Sequence, residues 1–204
     1  MSSSTPTTRI LVLRHGESEW NALGKWQGQA DPPLTDDGRQ QAFRAIEKLG
    51  TFDLIACSDL QRAHETAQII AHGIGVGPLI VDARLRETDV GEWQGLTHSQ
   101  IERRWPGWLD SHRRPPSFES DTSLITRFTA ALGDISELCA GGEALVVAHA
   151  GVIRVMRRAL GASDPRIPNL GGCRFLLTPG AGAKSLLVED VVELLVHGPV
   201  GEEL

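Results

Sequence analysis

Residues 9–20 read RILVLRHGESEW. An apolar run stops abruptly at Arg14 and His15, and Gly16 follows. A short run this apolar reads as a strand buried on both faces, the kind found in parallel sheets. Such a strand gains nothing structurally by ending in a cation beside an imidazole. A ligand at the strand's carboxyl end would explain the pair.

Outward from this strand, β-like and α-like segments alternate. LTDDGRQQAFRAIEKLG (34–50) has apolar residues at helical spacing and closes on Gly50. FDLIACS (52–58) reads as a second strand. SDLQRAHETAQIIAHG (58–73) reads as its helix, with Ser58 at the N-cap and Gln61 completing a capping box. PLIVDARL (78–85) reads as a third strand and DTSLITRFTAALGDISELCAGG (121–142) as a long helix. EALVVAHA (143–150) is a fourth strand, followed by the helix GVIRVMRRALG (151–161). CRFLLTPG and SLLVED read as two late strands forming a hairpin on the sheet edge. Alternation of this kind implies an α/β fold, a three-layer α/β/α sandwich with a mostly parallel sheet and an antiparallel edge. Ligands of such sheets sit outside the carboxyl ends of the strands.

That rule selects residues. Strand 1 delivers Arg14 and His15, the helix after strand 2 carries Arg62 in its first turn, and strand 4 ends in His149. A lone histidine at a strand end is more often structural; several such residues converging on one edge is a site. Arginine forks suit a phosphate dianion, and a helix N-terminus adds N–H groups and positive dipole. A neutral imidazole can attack phosphorus in line. Glu87, after strand 3, either protonates a leaving group or pairs with Arg84 or Arg86.

Composition agrees with a single globular domain: 204 residues, 41% hydrophobic, 23% charged, net charge −6. No basic field favours nucleic acid, and no apolar run approaches a membrane span. MSSSTPTT lacks the charged and apolar regions of a signal peptide and reads as a disordered tail over 1–8. Three widely spaced cysteines (57, 139, 173) read as reduced thiols of a cytoplasmic protein. His64, His72, His98, His112 and His197 lack metal-ligand spacing. GIGVG (73–77) follows a helix instead of a strand, so it reads as a turn and not a nucleotide loop. Residues 98–120 form a lid-like insertion within one domain spanning 9–204. Its Trp105 and Trp108 either pack or cap a substrate. Arg103, Arg104, Arg113 and Arg114 either face solvent or hold a second anionic group.

RHGESEWN, LTDDGRQQA, SDLQRAHETA, LRETDVGEWQG and VVAHAGV, in this order, resemble the signatures of the histidine phosphatase superfamily, whose fold is phosphoglycerate mutase-like. The resemblance implies His15 as nucleophile through a phosphohistidine, Glu87 as proton donor, and Arg14, Arg62 and His149 as the phosphate pocket. It implies Asn21, Gln27 and Gly28, in WNALGKWQG, as phosphate or substrate contacts. It implies a metal-independent phosphomonoesterase without cofactor, acting on a small phosphorylated metabolite as a monomer or homodimer. SDLQRAHETA and RLRETDVGEWQGLTHSQIE most resemble glucosyl-3-phosphoglycerate phosphatases. Broad-specificity, phosphoserine and α-ribazole phosphatases are alternatives in the same class. A phosphoglycerate mutase and a non-catalytic phospho-ligand sensor are the competing functions; the short chain disfavours the first and the complete residue set the second. Two departures stand out. SFES (117–120) replaces the Gly-Gly-Glu-Ser of many relatives, which leaves Glu119 without an assigned role. His149-Ala150-Gly151 replaces His-Gly-Gly, where Ala150 still offers a backbone N–H.

Overall fold

The computed structural model describes residues 6–178 and 186–195. Six strands form one sheet in the order β3-β2-β4-β1-β5-β6. They are β1 (Thr8–Arg14), β2 (Leu54–Cys57), β3 (Ile80–Val81), β4 (Glu143–Ala148), β5 (Gly171–Leu177) and β6 (Leu186–Glu193). β1, β2, β3 and β4 run parallel, whereas β5 is antiparallel to β1 and β6 to β5. The helices are α1 (Glu19–Ala22), α2 (Asp36–Ile46), α3 (Gln61–Ile74), α4 (His98–Arg104), α5 (Asp121–Cys139) and α6 (Ala150–Ala159).

Side-chain alternation along the strands divides the core in two. Ile10, Val12, Ala144 and Val146 face one layer, where Phe128 and Leu132 of α5 and Val152 and Met156 of α6 cover them. Leu11, Leu13, Leu145 and Val147 face the other, covered by Ala45 of α2 and by Ala63, Ala67 and Ile70 of α3. This is the three-layer sandwich expected from the alternation of elements.

Several local expectations are corrected. The tail read as 1–8 is shorter, because Thr8 is buried and opens β1, its hydroxyl bonded to the Ser136 carbonyl; residues 1–5 lie outside the described residues. Ser58 does not cap α3. The helix starts at Gln61, and the Ser58 hydroxyl accepts from the Leu60 N–H. Asp31, from a distant loop, accepts the Gln61 N–H at 2.7 Å instead. A long-range carboxylate thus does what the local capping box was expected to do. Strand 3 is only two residues long, because the chain turns into a 3₁₀ segment at Ala83–Leu85. The long helix ends at Cys139, where Ala140 turns left-handed with φ 48°. GIGVG contains the end of α3 and its left-handed Gly75.

The insertion folds over a third, smaller apolar cluster. Trp93, Val90 and Ile101 are buried in it, with Trp26, Trp105, Trp108 and Phe118 packed around them. Arg113 lies over the Trp108 ring at 4.6 Å and Arg114 over Phe118 at 4.7 Å. Arg114 is also paired with Asp121.

Candidate active site

Sheet register assembles the site. β1 and β4 pair with Arg14 opposite Ala148. The next residue on each strand is therefore His15 and His149, side by side at one edge. The His15 N–H completes the ladder by donating to the Ala148 carbonyl at 3.1 Å. The imidazole centroids are 5.2 Å apart at an interplanar angle of 62°. β2 brings the third component through α3, whose second residue is Arg62.

Arg62 is 1% exposed and rigidly held. Its two terminal nitrogens donate to the carbonyls of Ala30 (2.8 Å) and Gly28 (2.9 Å). Gly28 presents its carbonyl from a left-handed turn with φ 51°, and a Cβ there would lie 2.7 Å from Val90 Cγ2. Only glycine meets both demands. A third Arg62 donor, Nε–H, points at His15 Nε2 from 3.2 Å.

This contact assigns the His15 tautomer. Guanidinium nitrogens only donate, so Nε2 is unprotonated and its lone pair accepts this contact. Nδ1, 2.6 Å from the Gly16 carbonyl, holds the proton. Burial, followed by the charges of Arg62 and Arg14, holds the His15 pKa well below its usual 6.5, against the opposing pull of Gly16. Burial and Arg62 likewise depress His149, with His15, Arg127 and Arg14 adding to the effect. Both rings are therefore neutral at neutral pH. Neither ring nitrogen of His149 has a hydrogen-bond partner among the described residues, although the side chain is fully buried. Buried polar atoms are rarely left so. Burial lowers Arg62 to about 10, which leaves it cationic at neutral pH.

Glu87 is not paired with either neighbouring arginine. Arg84 bonds Asp82 and Asp134, and Arg86 bonds Asp59. The Glu87 carboxylate instead lies on the N-terminus of α6, accepting from Gly151 N–H (3.0 Å) and Val152 N–H (3.2 Å), and from Thr88 N–H (2.7 Å). Gly151 makes this approach possible, since a Cβ there would stand 2.5 Å from Glu87 Oε1. Glu87 is thereby brought to the element that begins directly after His149.

The other expected residues lie around this centre in structural contacts. Arg14 donates to the Ile167 carbonyl at 2.9 Å. Asn21 closes the capping box of α1, accepting from the Ser18 N–H at 3.2 Å. Gln27 accepts from the Ser18 hydroxyl at 2.9 Å. Ser18 thus links the two amides. Asn169 was not visible as a site residue in the sequence. It donates to the His15 carbonyl (3.0 Å) and approaches Asn21 Oδ1 (3.5 Å) from the loop before β5. Only the antiparallel return beside β1 brings it there, so no local motif pointed to it. Among the described residues, no three His, Cys, Asp or Glu side chains group to hold a metal ion; His197 lies outside them.

Two histidines and two arginines are gathered at the carboxyl ends of parallel strands. The histidine phosphatase superfamily (branch 1) matches residues 10–173, and the chain belongs to this family. It is 37% identical to a glucosyl-3-phosphoglycerate phosphatase of Mycolicibacterium vanbaalenii, over 80% of this chain and 79% of that protein. It is 40% identical to phosphoglycerate mutase-like protein 4 of Arabidopsis thaliana, over 75% and 71%. The structure of a mycobacterial glucosyl-3-phosphoglycerate phosphatase complexed with VO3 superposes with a TM-score of 0.74 at 31% identity, covering 82% of this chain and 90% of that one.

Proposed function

We propose that the chain is a phosphomonoesterase that works through a phosphohistidine on His15. The observation that carries this reading is the Arg62 Nε–H aimed at His15 Nε2, 3.2 Å away. It holds Nε2 unprotonated beside a fixed cation, where a phosphate dianion would be drawn, and the contact is released as phosphorus takes the lone pair. The phosphoryl oxygens would be met by Arg14, Arg62 and His149, the last as a neutral N–H donor. Nε2 attacks phosphorus in line, and the P–O bond to the leaving alkoxide breaks as Glu87, entering the step as a carboxylic acid, gives it a proton. The carboxylate so formed rests on the N–H groups of Gly151 and Val152 at the start of α6. It then takes a proton from water as that water attacks phosphorus and frees His15.

Asn21 and Gln27 are assigned to the substrate side of the pocket, and Gly28 to holding Arg62. The metal-independent chemistry rests on the arginines doing the charge neutralisation. A cytoplasmic location is part of this reading and is supported by three unpaired cysteines. Among the described residues, no helix is long and apolar enough to cross a membrane. Glucosyl-3-phosphoglycerate is the first substrate to try, because relatives bear that name. The insertion at 98–120 is assigned to the substrate side as a cover within one domain.

The deciding experiment measures phosphate release and phosphoryl transfer together. Release of inorganic phosphate from p-nitrophenyl phosphate and from glucosyl-3-phosphoglycerate supports the esterase. Net conversion of 3-phosphoglycerate to its 2-isomer without release would replace it by a mutase. Binding without either reaction would replace it by a sensor.

A further inference from the structure

Behind Glu87 stands a residue that no motif singled out. Arg127 lies in the second turn of α5 and uses all five of its N–H groups. Nε and Nη2 each donate to the Glu119 carboxylate at 2.7 Å. Nη1 donates to the carbonyls of Arg84 (2.8 Å) and Arg86 (2.7 Å), and Nη2 donates also to that of Glu87 (3.0 Å). The pair is largely enclosed, with side chains 18% and 11% exposed.

We propose that Arg127, oriented by Glu119, is the positioning residue that fixes the backbone of Glu87 so that its carboxylate meets the N-terminus of α6. The inference rests on the reading of Glu87 as proton donor. A surface ion pair would not need three main-chain carbonyls. These three belong to a segment leaving a 3₁₀ turn, and a single planar fork ties them at fixed spacing. Glu119 fixes the fork, and it also binds the far side of the same segment. Its N–H donates to the Asp89 carbonyl (2.8 Å), and its carboxylate accepts the Asp89 N–H (3.2 Å). The Glu87 carbonyl takes a further donor from Gln29 at 3.3 Å. The peptide on both sides of Glu87 is thus clamped before its side chain turns toward α6. Lysine could supply the charge of Arg127 but not this fork. The inference gives Glu119 a role although the two glycines that precede it in many relatives are replaced here: it orients the residue that orients the donor.

The test is a double-mutant cycle of Arg127→Met and Glu87→Gln, read as kcat on an alkyl phosphate and on p-nitrophenyl phosphate. Arg127→Met should lower kcat on the alkyl ester roughly ten-fold or more, leave KM nearly unchanged, and spare the aryl ester. Arg127→Lys should not restore the alkyl rate. In the Glu87→Gln background, Arg127→Met should cost almost nothing further. An equal loss with and without Glu87 would overturn the proposal, because the clamp would then act through something else. A loss shared equally by the two esters in Arg127→Met, beside a clear split in Glu87→Gln, would overturn it while sparing the donor assignment. No split in Glu87→Gln sinks the donor assignment and this inference with it. Should Arg127→Met fail to fold, Glu119→Gln keeps the volume, removes the charge that locks the fork, and must give the same split in milder form.

Discussion

Arg62 donates its Nε–H to Nε2 of His15 across 3.2 Å, so one side chain fixes both the tautomer and the reach of the other. The unprotonated Nε2 is the atom a phosphoryl group would meet. Quenching the reaction with labelled substrate should therefore trap an acid-labile, base-stable phosphoprotein. His15→Ala should lose both label and turnover. Turnover surviving in that variant would refute the covalent route.

Arginine forks can neutralise a phosphate without a Lewis acid. Activity should persist after dialysis against EDTA, and vanadate should inhibit by imitating five-coordinate phosphorus. Loss on chelation that is reversed by a divalent ion would show that charge neutralisation is shared with a metal.

Much of this centre was legible in sequence because it is carried by local signals. A buried strand must be short and apolar, so RILVLR announced itself, and the residues after such strands follow from the rule for open parallel sheets. Arg14, His15, Arg62 and His149 all lie at strand ends or in the first turn after one, which is why they could be named. What escaped depends on partners far along the chain. Asp31 caps α3 in place of Ser58, Asn169 reaches His15 from the loop before β5, and Arg127 reaches Glu87 from the second turn of α5. None of these has a local pattern, because each contact exists only once the layers have packed. Glu87 was visible but ambiguous. Its charged neighbours offered ion pairs that the fold gives to Asp59, Asp82 and Asp134 instead.

If Glu87 protonates the leaving group, its removal must matter most where the leaving group is poor. Glu87→Gln should slow alkyl phosphates by about 10²-fold or more and aryl phosphates much less. Gly151→Ala offers a gentler version. Its new Cβ would lie 2.5 Å from Glu87 Oε1 and push the carboxylate off α6. A smaller loss with the same preference for alkyl esters is expected, with a modest fall in the thermal midpoint from the lost cap of α6. Equal losses on both ester classes would make Glu87 a helix cap and nothing more.

The two buried imidazoles make stability depend on pH with a definite sign. In the unfolded chain each takes up a proton near pH 6.5, whereas in the fold both are held well below that value. Between those points the unfolded state binds more protons, so stability rises with pH. Their contribution is complete above about pH 6.5 and is lost as pH falls toward the folded values, at up to about 1.4 kcal/mol per pH unit for each histidine. The lowered carboxyls of Asp59, Asp82 and Asp164 act in a separate window, below their usual 3.8. Denaturant titrations between about pH 5 and 7 should show the slope, and His149→Gln should remove about one proton from it. A flat profile in the wild type would mean that the rings are not held neutral.

Substrate choice depends on what covers the phosphate pocket, and the insertion now offers fewer free groups than its composition promised. Trp105 and Trp108 belong to the aromatic cluster around Trp93, so neither is a loose platform for a sugar. Arg114 is committed to Asp121. Arg113 is different: among the described residues it has no ion pair, and its guanidinium lies over Trp108, 4.6 Å from the ring centroid. Stacking of this kind orients the fork while leaving its edge able to meet a carboxylate. Selectivity for a carboxylated substrate should therefore reside in Arg113 more than in Arg114. Comparing kcat/KM on glucosyl-3-phosphoglycerate, 3-phosphoglycerate, phosphoserine and p-nitrophenyl phosphate measures it. Arg113→Ala should lower kcat/KM for the carboxylated esters roughly ten-fold, the worth of a charge-assisted contact of about 1.4 kcal/mol, and leave p-nitrophenyl phosphate unaffected. Arg114→Ala should weaken the tether to α5 and lower the thermal midpoint slightly without changing the preference. If the wild type turns over glucosyl-3-phosphoglycerate no better than p-nitrophenyl phosphate, the pocket is open and unselective, and the insertion serves only to bury its own aromatic cluster.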